Sequence, residues 1–376
     1  MSLDKSKKFS YVLFGKTFSS ILQALFYIIF AIMLEPTAYG NLSYLIGLAG
    51  TFSVVSRFGL NHSSIVYRGK NNIPVTNQIN EISFIFAIIA SLLLLIFDVY
   101  VSILCFGMSM FVMTLSDQIG KKLYKKYMST EIIRGLLMIL LPLSLYLLLD
   151  ISGVMIGMAI SYTICSLNFF KNFPFKKNPF SGLGKNFSIL IQNFGVDFST
   201  RAPRFIDKLI VYPILGFTNL GIYQLNIQIL LMLEMIPLAL HSFLLSEESS
   251  GQNHSKMNKF SILFSIMISI LVITLGPYII NEIFPKYSTG ILSLQVISIS
   301  IIPLTLSSIF NAKLQAHESK IVGYPGLIRV VSLLILLYVF GIYFELIGIS
   351  IAVLVSSSLY AGSLYVIIKK LKYQIL

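Results

Sequence analysis

The chain has 376 residues, of which 56% are hydrophobic and only 11% are charged, and its formal net charge is +13. A soluble globular domain has about 25% charged residues, so this composition excludes that class. In a soluble protein such an excess of Lys and Arg would suggest nucleic-acid binding. Here the basic residues cluster on alternate connections between long apolar runs. We therefore predict a polytopic membrane protein whose basic residues meet anionic lipid headgroups, with no nucleic-acid partner.

Apolar runs of membrane-spanning length recur along the whole chain. The hydrocarbon core of a bilayer is ~30 Å thick and requires about 20 apolar residues in helical conformation. We predict about twelve spans and no β-structure, which makes the fold all-α. The predicted spans are 10–34, 40–60, 80–98, 99–118, 130–149, 151–170, 188–213, 219–245, 260–280, 289–311, 325–344 and 346–368.

The charges on the connections predict the orientation of these spans. One side collects nearly all of the Lys and Arg of the connections, whereas the other side holds mainly acidic residues and Lys286 as its one base. The acidic residues of that other side are Glu35, Asp98, Asp150, Glu282 and Glu345. Because basic loops stay inside, we predict that both termini are cytoplasmic in a cell (inner) membrane. The connections predicted to be cytoplasmic are 60–79, 119–129, 171–187 and 246–259.

The chain divides into two halves that carry a faint internal repeat. The polar connection 171–187 is rich in Pro, Gly and Lys, and we predict an N-terminal six-helix bundle at 1–178 and a C-terminal six-helix bundle at 179–376. The segment LEPTAYGNLSYLIGL at 34–48 is similar to LGFTNLGIYQLNIQI at 215–229. Thr37 and Gly40 match Thr218 and Gly221, each 181 residues later. Two pseudo-symmetric bundles with a site at their interface are a common transporter architecture.

A stripe of polar residues runs through the predicted span 188–213. The residues on one helical face, spaced by three and four, are Asn193, Asp197, Thr200, Arg201, Arg204 and Lys208. A charge inside the bilayer costs at least ~2.5 kcal/mol on insertion scales, so such residues pair or line a water-filled cavity. The spacing allows Asp197–Arg201 and Arg204–Asp207 pairs, and Pro203 predicts a kink. A purely structural role in clamping helices would need fewer charges, so we favour a cavity.

The residues 181 positions before the polar stripe lie in the first predicted span. Asp197, Thr200, Arg201, Arg204 and Lys208 then correspond to Lys16, Ser19, Ser20, Gln23 and Tyr27, which is again a polar face. We therefore predict a central cavity lined by the first and seventh spans, one from each half. Arg134 and Arg329 lie close enough to the predicted cytoplasmic face to extend their guanidinium groups to it, and we expect them to do so.

Several segments resemble the Wzx-type polysaccharide flippases of the multidrug/oligosaccharidyl-lipid/polysaccharide (MOP) exporter superfamily. These segments are LEPTAYGNLSYLIGL, SRFGLNHSSIVYR, DKLIVYPILGFTNLGIYQLNIQI and EIFPKYSTG. The resemblance implies two six-helix bundles around a cationic lumen, and export of polyprenyl-(pyro)phosphate-linked oligosaccharides by alternating access. In the related lipid II flippases, arginines of the central cavity engage the pyrophosphate. We match Arg201 and Arg204 to that role, followed by Lys16 and Arg57.

The remaining polar residues complete the predicted site. The residues expected to bind substrate are Arg201, Arg204, Lys16, Arg57, Lys208, Gln23, Ser20, Thr200 and Asn193. The candidates for coupling transport to an ion are Glu234, Asp197 and Asp207. Glu234 lies near the middle of the eighth span at a depth similar to that of Arg201, so we also predict that the two pair. We expect no cofactor, although a H⁺ or Na⁺ gradient or the membrane potential can drive transport, and we expect glycan-assembly membrane proteins as possible partners.

Two other function classes remain as alternatives. A cation-coupled multidrug antiporter of the same superfamily would need a net acidic site, whereas the first span offers Lys16 and no carboxylate. A membrane-embedded glycan polymerase or ligase would need a sizeable external loop, and the predicted external connections are short. The chain has no Walker A motif, no H-E-x-x-H motif and no Cys/His cluster. We therefore predict a transporter that is not an enzyme and binds no metal.

The orientation can be tested by cysteine labelling of intact cells. We expect a cysteine placed at position 176 to react only after the membrane is permeabilised, because the 171–187 connection carries several lysines. Labelling of position 176 from the outside of intact cells would overturn the predicted orientation.

Overall fold

The computed structural model describes residues 3–170, 187–248, 255–316 and 323–375, and these ranges are almost entirely helical. The helices are α1 (Leu3–Met33), α2 (Pro36–Arg57), α3 (Leu60–Gly69), α4 (Ile73–Leu94), α5 (Val99–Gly120), α6 (Tyr124–Phe170), α7 (Phe187–Arg201), α8 (Pro203–Glu248), α9 (Ser255–Ile283), α10 (Ile291–Ser298), α11 (Ile301–Ala316) and α12 (Gly323–Ile375). A 3₁₀ segment, Pro285–Gly290, precedes α10. The predicted all-α fold is confirmed, and the described ranges contain no strand.

Three of the long helices are broken at a single point. α6, α8 and α12 contain a non-helical residue at Asp150, Gly216 and Glu345, respectively. All three residues have positive φ, at 50°, 76° and 49°. The 46 residues of α8 would measure roughly 70 Å as one straight helix, which is more than twice the hydrocarbon thickness. The breaks therefore divide α6 and α12 into two passes each, and the break in α8 separates residues 203–215, which complete the pass begun by α7, from the next pass. Each break falls at a boundary predicted from the sequence.

Tight packing across the breaks shows that α6 and α12 fold back as hairpins. A Cβ added to Gly153 would lie 2.1 Å from the carbonyl oxygen of Leu145, and one added to Gly348 would lie 1.9 Å from that of Phe340. Only glycine allows two helical passes to approach this closely beside their turn.

The number of spans agrees with the prediction. Among the described residues, eight helical stretches are long and apolar enough to cross a membrane, and the bent pair α2 and α3 makes a ninth. When α6, α8 and α12 are each taken as two passes, the count reaches the predicted twelve.

The chain forms two compact units. Unit 1 comprises Met1–Tyr27 and Leu45–Ile206, and unit 2 comprises Ile28–Tyr44 and Asp207–Leu376. The predicted bundle boundary between 178 and 179 lies outside the described residues. In unit 1, a core of buried side chains joins α3, α4 and α5, with Leu60, Ile79, Ile82, Met110 and Met113 at its centre.

In unit 2, the two copies of the repeated turn meet in reciprocal contacts. A Cβ on Gly40 would lie 1.9 Å from the carbonyl oxygen of Phe217, and a Cβ on Gly221 would lie 1.9 Å from that of Pro36. Since Phe217 follows Pro36 by the same 181 residues that separate the glycines, the two contacts are equivalent by local two-fold symmetry. This symmetry supports the internal repeat.

Polar and aromatic contacts hold the same region of unit 2 together. The Oγ1 atoms of Thr37 and Thr218, which are also repeat partners, lie 2.8 Å apart. The rings of Tyr39 and Tyr287 pack edge to face at 6.0 Å. The hydroxyl of Tyr287 donates a hydrogen bond to the carbonyl oxygen of Leu34 at 3.3 Å. The tip of the α1–α2 hairpin is thereby fastened within unit 2.

The glycine contacts predict a stability difference. Gly40→Ala and Gly221→Ala should each lower the free energy of unfolding by about 1–3 kcal/mol, because the added methyl group overpacks against backbone. Gly362→Ala is the matched control, since a Cβ there meets nothing within 4 Å. Thermal denaturation of the purified proteins in detergent measures the effect. Equal denaturation midpoints for all three variants would contradict the close helix approach.

Candidate functional site

A sharp bend brings the α2–α3 junction against α7 in unit 1. The chain turns at Phe58 and Gly59, whose φ angles are 45° and 71°, and the two helices meet at 46°. A Cβ on Gly59 would lie 2.3 Å from the backbone nitrogen of Phe194, and the rings of Phe58 and Phe194 stack at 4.7 Å. Because glycine tolerates both the positive φ and the contact, the end of α2 and the start of α3 lie directly on α7.

Asp197 of α7 is the buried centre of the polar contacts at this junction. Its side chain is 0% exposed. It forms an ion pair with the Nε of Arg201 at 2.8 Å and a longer one with the Nη2 of Arg57 at 3.5 Å. Asn61 donates an Nδ2 hydrogen bond to it at 3.1 Å, and the Nε2 of His62 lies 3.4 Å away. The predicted Asp197–Arg201 pair is confirmed.

Arg57 is buried with Asp197 and is held by hydroxyl groups as well. Its side chain is 2% exposed, and its Nη1 donates to the Oγ of Ser53 at 2.6 Å. Ser109 of α5 hydrogen-bonds to the hydroxyls of both Ser53 and Ser56, at 3.1 and 3.0 Å. A buried guanidinium needs both a counter-ion and hydrogen-bond acceptors, and α2 and α7 supply them here.

Three further cations of unit 1, linked to this pair through Arg201, have exposed side chains. The side chain of Arg201 is 46% exposed despite its contact with Asp197. Arg204 and Lys16 are also exposed, and both Arg201 and Arg204 lie within electrostatic range of Lys16. Arg57 in turn lies within range of Arg201. We call Lys16, Arg57, Arg201 and Arg204 the cationic cluster.

The helix break between α7 and α8 separates the two exposed arginines. α7 ends at Arg201 and α8 begins at Pro203, so the kink predicted from Pro203 occurs at Ala202. The carbonyl of Ala202 accepts hydrogen bonds from the backbone N–H groups of Phe205 and Ile206, both at 2.9 Å. The predicted continuous stripe is therefore split into two helical segments.

Lys208 and Asp207 belong to unit 2, where they contact each other. The Nζ of Lys208 lies 3.0 and 3.3 Å from the two carboxylate oxygens of Asp207, and both side chains are buried. The hydroxyl of Tyr223 donates to Asp207 at 2.9 Å across the hairpin formed at Gly216. The predicted Arg204–Asp207 pair joins residues of different units and stays a prediction.

The predicted polar residues around the cluster mostly have local partners. The hydroxyl of Ser20 donates to the carbonyl oxygen of Lys16 at 2.8 Å, and that of Thr200 to the carbonyl oxygen of Asp197 at 3.2 Å. Asn193 donates to the Oγ of Ser63 at 2.8 Å. The side chains of Gln23 and Asn193 are half-buried, and Thr200 is exposed.

Arg134 does not extend towards the membrane surface, so that expectation was wrong. Its side chain is buried, with the guanidinium carbon 5.3 Å from the ring centre of Phe111 and 5.4 Å from that of Tyr162. It also pairs with Glu131 at 3.5 Å and donates a hydrogen bond to Ser19. The aromatic cage comes from α5 and the second pass of α6, and the sequence contains no local signal for this juxtaposition.

The candidate for ion coupling, Glu234, is half-buried in unit 2. Its predicted partner Arg201 lies in unit 1, so that pair also stays a prediction. Among the residues that the structure describes, no group of three His, Cys, Asp or Glu side chains could hold a metal ion.

Comparison with known proteins identifies the fold. No protein-family model and no curated protein sequence matches the chain. Among solved structures, it is similar to the lipid II flippase MurJ in an inward closed conformation, with a TM-score of 0.77 and 14% identity over 95% of this chain and 87% of that one. An inward-facing multidrug resistance MATE transporter of the MOP superfamily gives a TM-score of 0.72 at 13% identity, over 96% and 99% of the two chains.

A third similar structure is a MOP superfamily transporter from Pyrococcus furiosus, described by a reversed polarity of its binding pocket. It gives a TM-score of 0.58 at 13% identity, over 95% of this chain and 92% of that one. The chain therefore has the fold of the MOP superfamily transporters over nearly its whole length. At these identities the similarity shows the fold and leaves the substrate open.

The buried carboxylate predicts a large effect of removing its charge. Asp197→Asn should lower the free energy of unfolding by about 3 kcal/mol, because Arg57 then stays buried beside a neutral amide. The double variant with Arg57→Gln should recover part of the loss. Glu282→Gln, which changes an exposed carboxylate, is the matched control. Unfolding of the purified proteins in mixed micelles measures these differences. An unfolding curve of Asp197→Asn that coincides with the wild type would show that Arg57 needs no counter-ion.

Proposed function

We propose that the protein is a flippase that moves a polyprenyl-(pyro)phosphate-linked oligosaccharide from the cytoplasmic to the outer leaflet. In this proposal the cationic cluster holds the phosphate groups, and alternating access carries them across. The observation that supports it is the group of three exposed cations in which Arg201 and Arg204 both lie within electrostatic range of Lys16. A pyrophosphate needs such a site because its charge is prohibitively costly in hydrocarbon.

The charge balance of the cluster favours an anionic substrate. Arg57 and Arg201 pair with Asp197, and Lys16 lies within electrostatic range of Arg201, Arg204 and Glu131. The four cations of the cluster therefore outnumber the two neighbouring carboxylates. Because Asp197 is completely buried and already bonded, it does not compete with a ligand at the exposed side. Asp197 instead aligns the guanidinium of Arg201 through the 2.8 Å contact at Nε and leaves the Nη atoms of Arg201 able to donate. Guanidinium groups bind phosphate through two parallel hydrogen bonds, which a single ammonium cannot reproduce.

The fold is compatible with this proposal and with one alternative. One similar structure is a lipid II flippase, and another is a multidrug resistance transporter. Transport of cationic drugs would require an accessible carboxylate near the cluster. The two carboxylates described there, Asp197 and Glu131, are both buried and paired with arginines. This arrangement favours the flippase over the multidrug antiporter.

We also propose that the protein is related to the Wzx-type flippases. It would lie in the cytoplasmic membrane with both termini in the cytoplasm. Glu234 is the proposed ion-coupling residue, since the carboxylates of Asp197 and Asp207 already bind cations within their own units. A H⁺ or Na⁺ gradient or the membrane potential would then supply the driving force. No catalytic step is proposed, and glycan-assembly membrane proteins remain proposed partners.

Substitution of the exposed arginines tests the proposal. Arg201→Ala and Arg204→Ala should each reduce transport about 100-fold, because each removes charge-assisted hydrogen bonds to phosphate. Lysine at either position should restore only part of the rate. Arg329→Ala is the matched control, since Arg329 stacks on Tyr360 in unit 2.

The measurement is the transfer of a fluorescent undecaprenyl-pyrophosphate-linked sugar across proteoliposomes that contain equal amounts of each protein. Wild-type transfer by the Arg201→Ala/Arg204→Ala double variant would refute the assignment. Transfer of a cationic drug with no transfer of the lipid-linked sugar would favour the antiporter.

A further inference from the structure

A second basic site lies in unit 1, at the end of the helices where α1 begins and α5 ends. A cleft of about 550 Å³ opens there between the start of α1 and the α5–α6 connection. The described residues that line it are Lys8, Tyr11, Lys122, Leu123, Tyr124, Lys125, Lys126 and Ser129. Four of these are lysines and none is acidic, so the cleft concentrates positive charge.

Two basic residues beside the cleft are paired with a carboxylate. The Nζ of Lys121 lies 2.5 Å from Asp117, and an Nη of Arg68 lies 3.1 Å from the same carboxylate. Asp117 therefore pairs with both Lys121 and Arg68. No acidic side chain is among the described residues that line the cleft, so Lys122, Lys125 and Lys126 give it a positive surface.

The backbone of the connection contributes to this arrangement. Lys122 has a φ of 58°, a left-handed conformation that glycine or asparagine adopts with less strain. This residue reverses the chain directly after α5, between the cap at Lys121 and the start of α6.

The apolar members of the lining indicate what kind of anion fits. Tyr rings prefer the headgroup level of a bilayer, and Tyr11 and Tyr124 place the cleft at that depth. The side chain of Leu123 is 44% exposed and can contact the glycerol and upper acyl chain of a lipid. A soluble anion would gain nothing from these apolar groups, whereas a phospholipid uses both the ammonium groups and the apolar wall.

We propose that this cleft binds the phosphate headgroup of an anionic phospholipid at the membrane surface. Lys122 of the α5–α6 connection and Lys125 and Lys126 at the start of α6 form one wall, and Lys8 and Tyr11 of α1 form the other. A bound headgroup thus bridges α1, which carries Lys16 farther along, to the start of α6. The site is separate from the cationic cluster, and its occupancy does not depend on the substrate that the protein transports.

Lipid binding to the purified full chain tests this site. Native mass spectrometry should detect phosphatidylglycerol bound in preference to phosphatidylcholine. The triple variant Lys122→Gln/Lys125→Gln/Lys126→Gln should bind phosphatidylglycerol at least about tenfold more weakly, since each basic residue near an anionic surface contributes to affinity. The matched control is Lys259→Gln/Lys369→Gln/Lys370→Gln, which removes the same charge from exposed lysines of unit 2 and should bind like the wild type.

The possible outcomes separate the explanations. An equal loss in both triple variants would show a general charge effect and would overturn the site, as would no loss in either. If undecaprenyl phosphate displaces phosphatidylglycerol at stoichiometric amounts, the cleft binds the transport carrier and the phospholipid assignment is wrong. If the triple variant fails to fold, Lys8→Gln tests the opposite wall, and unchanged phosphatidylglycerol binding by it would also overturn the proposal.

Discussion

The burial of Asp197 among Arg57, Arg201, Asn61 and His62 is the interaction on which the site depends. A lone carboxylate or guanidinium in the membrane interior would be too costly to keep charged, so each stabilises the other. The bend at Gly59 makes this possible because it brings α2 and α3 onto α7. Asp197 pairs with both arginines, and the half-exposed guanidinium of Arg201 keeps its Nη atoms for a ligand. One buried pair thereby supports a positive surface.

Glycine contacts place a second constraint on the fold. The reciprocal approach of Gly40 and Gly221 to backbone carbonyls fastens the α1–α2 tip within unit 2. Helices in a bilayer gain little from the hydrophobic effect against one another, so close backbone packing at small residues supplies much of their attraction. The Thr37–Thr218 hydrogen bond adds a polar contact at the same place. The internal repeat of the sequence therefore corresponds to a symmetric pair of contacts in the structure.

Much of the fold was predictable because apolar length and turn residues are local properties. The breaks at Asp150, Gly216 and Glu345 fall between predicted spans, and the kink before Pro203 was also anticipated. The convergence of Lys16, Arg57, Arg201 and Arg204 in unit 1 could be inferred only in part, through the repeat and a family resemblance. The enclosure of Arg134 by Phe111 and Tyr162 could not be inferred, because it depends on which helices pack together. For the same reason, the sequence pointed to Arg201 as a partner of Asp197 and missed Asn61 and His62.

The proposed role of the cationic cluster is to bind the phosphate groups of the substrate. A structure of the protein with a polyprenyl pyrophosphate bound tests this role directly. We expect phosphate oxygens about 3 Å from the guanidinium nitrogens of Arg201 and Arg204, with the Asp197–Arg57 contact kept. A pyrophosphate bound away from both arginines, or an empty cluster at saturating ligand, would contradict it.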